Sequence, residues 1–150
     1  MTARPMIPDR AANRLGAVAL LTAVFLTAGC SRTSPSSPVV SYRLGVKDGM
    51  LTMTLGKLTL EFEGVAAEPG VSGKGGSILI STVPGASGGG SDRFDGVEVK
   101  HQVADGVATV TVGATTFKLT EGGAKLVLGD RTYNLSDEQT VTVAKDGKPR

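Results

Sequence analysis

Asp48-Gly49-Met50-Leu51-Thr52-Met53-Thr54-Leu55-Gly56 decides the fold, because its pattern returns as Asp105-Gly106-Val107-Ala108-Thr109-Val110-Thr111-Val112-Gly113. In each copy apolar residues alternate with Thr, the period-two signature of a half-buried strand. In each copy an Asp-Gly pair precedes the run, and that pair is the favoured centre of a two-residue type I′ turn. Upstream of the first turn, Val40, Tyr42, Leu44 and Val46 alternate with Ser41, Arg43, Gly45 and Lys47. Folding about Asp48-Gly49 sets Val46 against Leu51, Leu44 against Met53 and Tyr42 against Leu55, with every apolar partner on one face. Gly56-Lys57 supplies the next turn, glycine first as type II′ prefers. It sets Leu55 against Leu58, Met53 against Leu60 and Leu51 against Phe62, while Thr54 meets Thr59 on the opposite face.

The second copy runs through Val97, Val99, His101 and Val103 into Asp105-Gly106, back through Ala108, Val110 and Val112, and about Gly113-Ala114 to Phe117 and Leu119. Thr111 there faces Thr116. A third hairpin spans 126–135 around Gly129-Asp130, joined to the second unit by Gly122-Gly123, and Val141 and Val143 suggest a last strand. Residues 77–83 (SILISTV) are apolar on both faces, which predicts a central strand. The glycine-rich segments 64–76 and 84–96 read as loops. The expected fold is all-β, an antiparallel meander of about ten short strands with a duplicated three-stranded unit. Turn signals leave sandwich and small barrel both open.

The amino-terminal third has a different grammar. Arg4, Arg10 and Arg14 precede an uncharged run over 15–27, which ends in Leu26-Thr27-Ala28-Gly29-Cys30, and Cys30 is the only cysteine. The run suits a signal h-region and falls short of the roughly 20 residues that span a bilayer. This segment resembles the lipobox of bacterial lipoproteins, with Thr27 where Leu is commoner. The resemblance covers residues 1–30 only. It implies a signal peptide over 1–29, cleavage before Cys30, a diacylglyceryl group on the thiol and an acylated new amino terminus. In that family an Asp after the cysteine tends to retain the product at the inner membrane. Ser31 here implies an outer-membrane destination if the cell has one. Two or more acyl chains anchor firmly where one holds only marginally. Residues 31–38 (SRTSPSSP) are polar, without apolar periodicity, and read with Cys30 as a lipidated cysteine and flexible tether over 30–38. Residues 39–150 then form a single β domain.

Residues 1–29 carry three Arg and one Asp, which accounts for the whole net charge of +2. The remainder is electrically balanced, so the pI near 8.8 is no sign of nucleic-acid binding. No cysteine follows Cys30, so the domain has no disulfide and depends on packing. Tryptophan is absent, and Tyr42, Phe62, Phe117 and Tyr133 fall at inward positions, which leaves no stacking platform for sugar or single strands.

Few residues invite a chemical reading. His101 is the only histidine and the only candidate of its type for a general base at neutral pH. It takes the place that Leu44 holds in the first copy, where a core or rim histidine is the commoner outcome. A triad of His101 with Ser87 or Ser91 and Asp92 or Asp95 can be drawn, yet no nucleophile elbow fixes it. Asp92 and Asp95 lie three apart in a glycine-rich segment and form a weak candidate calcium loop lacking the further acidic ligands of an EF-hand. Phe94 is a candidate anchor for a partner protein. Residues 70–77 (GVSGKGGS) superficially suggest a phosphate loop, but Lys74 is followed by Gly75-Gly76 and a strand rather than by Ser or Thr and a helix. Glu61 and Glu63 share an outer face about 7 Å apart, which suits solubility better than glycoside chemistry.

The function expected from the sequence is a lipid-anchored, non-enzymatic binding or structural domain of the cell envelope. It would need no cofactor, and its partners would be the membrane and an envelope protein. Two alternatives have distinct requirements. A carrier of an apolar ligand needs a barrel cavity lined by Leu44, Met53, Val110 and Phe117. A hydrolase needs His101 within hydrogen-bond reach of Asp92 or Asp95 across the 84–96 segment.

Overall fold

Among the described residues eleven strands make two sheets, with both copies of the meander intact. The computed structural model describes residues 37–150, so the expectations placed on the signal segment, Cys30 and most of the tether lie outside the described residues. The first copy is β1 (Val39–Lys47), β2 (Met50–Leu55) and β3 (Leu58–Ala66). The second is β6 (Val97–Ala104), β7 (Val107–Val112) and β8 (Thr115–Thr120). β4 (Gly75–Leu79) and β5 (Ser87–Phe94) lie between them in sequence, and β9 (Lys125–Leu128), β10 (Arg131–Asn134) and β11 (Gln139–Val143) follow.

The turn chemistry acts as the residues dictate. Asp48 and Gly49 both have positive φ (51° and 75°), as do Asp105 and Gly106 (48° and 76°), the type I′ requirement. Leu44 pairs with Met53 and Val46 with Leu51; across the next turn Met53 pairs with Leu60 and Leu51 with Phe62. In the second copy His101 pairs with Val110 and Val110 with Phe117. The outward threonines meet as hydroxyl pairs, Thr54 with Thr59 at 3.3 Å and Thr111 with Thr116 at 3.2 Å.

One sheet has the order β11-β3-β2-β1-β4 and the other β10-β9-β8-β7-β6-β5. Neither closes on itself, and their inward faces join in one core that includes Leu44, Met53, Leu60 and Phe62 from the first and Val99, Val110, Phe117 and Leu126 from the second. Of the two architectures left open by the sequence, the chain adopts the sandwich. Val71, Ile80 and Leu135 add buried side chains from the connections.

Three expectations need correction. Residues 77–83 are not a central strand: β4 ends at Leu79 and occupies a sheet edge beside β1. Its double-sided apolarity has another cause, since Ile78 and Ile80 enter the core whereas Leu79 lies 57% exposed on the outer surface. The 84–96 segment is not a loop throughout, because 87–94 form β5, paired along its whole length with β6. Glycine weakens a strand but is admitted where another group approaches closely. A Cβ at Gly89 would stand 2.7 Å from the His101 carbonyl oxygen, and one at Gly90 would stand 2.9 Å from the His101 ring. Within 64–76, β3 continues to Ala66 and β4 begins at Gly75, which leaves a connection with one 3-10 turn at Pro69–Val71. Both three-stranded units are antiparallel as expected, and the one parallel pairing among the described strands is β11 beside β3, with Val141 against Leu60 and Val143 against Phe62.

Candidate functional site

The features that depart from plain packing gather at the seam between the edge strands β4 and β5. These strands are structural counterparts, each flanking the first strand of a meander, β4 beside β1 and β5 beside β6. Gly76 lies opposite Tyr42, and Asp92 lies opposite Val99. Tyr42 is 3% exposed, and its hydroxyl donates a hydrogen bond of 2.6 Å to Asp92 Oδ2. A Cβ at Gly76 would stand 2.6 Å from that carboxylate oxygen and from the Tyr42 hydroxyl, so the bond occupies the space a side chain would need. Burial raises the Tyr42 phenol well above the ordinary tyrosine value, and the Asp92 hydrogen bond and charge raise it further. Phe94 meets Tyr42 edge to face, with ring centroids 6.4 Å apart and planes at 78°.

This geometry also sets the surroundings of the other candidate residues. Phe94 is half-buried and packed against the core, so it does not protrude as an anchor. Asp92 is engaged by Tyr42, while Asp95 occupies a positive-φ turn position (φ 43°) with its carboxylate against Gly70. The two carboxylates are thus held at different glycines, and no group of three or more His, Cys, Asp or Glu lies together among the described residues. His101 shares the inward face with Val99 and Val103, half-buried, and its buried Nδ1 has no hydrogen-bond partner among the described residues. It therefore makes no hydrogen bond to either Asp through that atom. Ser87 and Ser91 pair with Ala104 and Lys100, out of phase with His101, so they face the other side of the sheet. Glu61 and Glu63 are each engaged on the surface, by Lys47 at 2.7 Å and Arg150 at 2.9 Å.

Glycine also leaves the outer surface bare at both edges. A depression of about 660 Å³ lies over Gly88, Gly89 and Gly90, bounded by Ser91, Lys100, His101, Gln102, Thr109 and Thr111. Another of about 720 Å³ lies over Gly75 and Gly76, bounded by Ser41, Arg43, Thr54 and Ser77. Arg43 and Lys100 hold equivalent places in the two copies, as do Thr54 and Thr111. Lys100 is paired with Glu98 at 3.0 Å. Such open polar troughs offer hydrogen-bond donors and one Lys or Arg each. Leu44, Met53, Val110 and Phe117 are packed to 1% exposure or less and line neither trough.

Sequence reasoning missed the Tyr42–Asp92 bond and the role of β5. The signal for both was the alternation Gly90, Asp92, Phe94 leading into Asp95-Gly96, a third Asp-Gly turn with both φ angles positive (43° and 87°). Compared with protein-family models, with curated proteins and with solved structures, the chain matches none of them.

Proposed function

We propose that the protein is a lipid-anchored β-sandwich of the cell envelope, held to its membrane through Cys30 and acting as a non-enzymatic binding or structural domain. The observation that carries this reading is the run Leu26-Thr27-Ala28-Gly29-Cys30 behind an Arg-flanked apolar stretch, with the sole cysteine at its end. Its position next to a Ser- and Pro-rich tether, with strand structure beginning at Val39, supports it further. The non-enzymatic part is supported by the commitment of Asp92 to Tyr42 and by the unpaired Nδ1 of His101. Cys30→Ser tests the anchor: it should abolish lipid attachment and leave an unprocessed or soluble product. Mass spectrometry showing an unmodified Cys30 in the wild-type chain, or a mature terminus elsewhere, would refute it.

A further inference from the structure

We infer that the end of the sandwich carrying Val39, Leu79 and Val83 rests on the lipid surface to which the chain is anchored, a reading that depends on the lipidation proposed above. Val39, Leu79 and Val83 are the large apolar residues left most exposed among the described residues, at 57%, 57% and 51%. Singly scattered apolar residues need no explanation. These three are not scattered. Val39 and Leu79 are direct partners across β1 and β4, and because Val40 and Ile78 beside them are buried, the pair shares the outer face. Val83 lies in the connection from the end of β4 at Leu79 to the start of β5 at Ser87, which places it at the same end.

That end is where the chain comes in from the tether. Ile80 N donates to the Pro38 carbonyl at 2.9 Å, and the site of a Cβ on Gly122 lies 3.6 Å from Pro38 Cγ. The turns Asp48-Gly49, Asp95-Gly96 and Gly129-Asp130 belong to the other end of the strands. Residues 31–38 separate Cys30 from Val39. Fully extended they reach about 30 Å, and as a flexible coil about 16 Å. A domain of this size is on the order of 35 Å across. The tethered end is thus the near end, and its three aliphatic side chains face the bilayer. Attachment makes the contact intramolecular, so a small apolar area suffices at the resulting high effective concentration.

The chain contains no Trp, so one introduced indole reports its own surroundings. Full chains carrying Val83→Trp or Asp130→Trp, purified from membranes, would be reconstituted in phosphatidylcholine vesicles with brominated acyl chains. Emission from position 83 should be quenched several-fold more than from position 130. Adding Val39→Ser and Leu79→Ser should remove most of the difference. Equal quenching at 83 and 130, in a preparation whose mass spectrum carries the lipid on Cys30, overturns this inference and leaves the anchor standing. A preparation without that lipid overturns the anchor itself, and the resting face with it.

Discussion

Tyr42 and Asp92 join the two sheets: the phenol of β1 donates to the carboxylate of β5 at 2.6 Å. The bond links the first strand of one copy to the edge strand beside the other. Tyr42 stands before Asp48 at the offset at which Val99 stands before Asp105, and Asp92 lies opposite Val99 as Gly76 lies opposite Tyr42. One copy thus supplies the donor, the strand beside it a bare glycine, and the strand beside the other copy the acceptor that fills the space.

Tyr42→Phe should lower the unfolding free energy by about 1–2 kcal/mol, since it leaves a part-buried carboxylate without its partner. It should also change the alkaline limb of stability. The folded-state phenol is raised above the ordinary value of 10.0. Below that value the hydroxyl is protonated in both states and its contribution is complete. As pH rises above it the unfolded chain ionises first, and stability falls toward the folded value. Urea midpoints followed from neutral pH to above about 10 should fall less steeply in the Phe variant.

Gly76→Ala should cost about 1–3 kcal/mol, because the new methyl group meets the Tyr42 ring and the Asp92 carboxylate and forces one of them to move. Gly88→Ala makes the control. A Cβ there meets nothing within 4 Å, so its thermal midpoint should stay near that of the wild type.

Gly106→Val tests the second Asp-Gly turn. A β-branched residue forced to φ 76° should destabilise by about 1–3 kcal/mol, measured as a shift in denaturant midpoint at unchanged slope. An unchanged midpoint would mean that the turn takes another form in solution.

His101→Leu should be neutral or stabilising by up to about 1 kcal/mol, since it removes a buried nitrogen that has no partner. Calorimetry gives the stability. Loss of a hydrolytic activity from envelope extracts on this substitution alone would overturn the non-enzymatic reading.

What the sequence made legible was local. Registers such as Leu44 with Met53 follow from two-residue turns and strict alternation, both written in adjacent residues. β5 was illegible because glycine carries no pattern: Gly88 to Gly90 look like punctuation until the His101 ring is seen to occupy the space above Gly90. The edge place of β4 was hidden for the opposite reason, since Leu79 and Val83 suggest burial on both faces yet lie at the surface. The Tyr42–Asp92 bond joins residues 50 apart, and no turn chemistry specifies a contact between separate sheets. Closure as a sandwich depends on where β11 docks, a long-range choice that the alternation of Val141 and Val143 does not reveal.

The parallel docking of β11 on β3 also closes an edge across a long stretch of chain. Until residues 139–143 arrive, β3 presents an open edge, so the sheet begun by the first strand is finished by the last. Val143 also bridges to Pro149, and Arg150 reaches Glu63, so residues 149 and 150 reinforce the same seam. Contacts of such long sequence separation raise the contact order, which slows the search for the native state. A chain without residues 139–143 would keep this sheet one strand short, with the outer edge of β3 left open to any other strand that could pair with it.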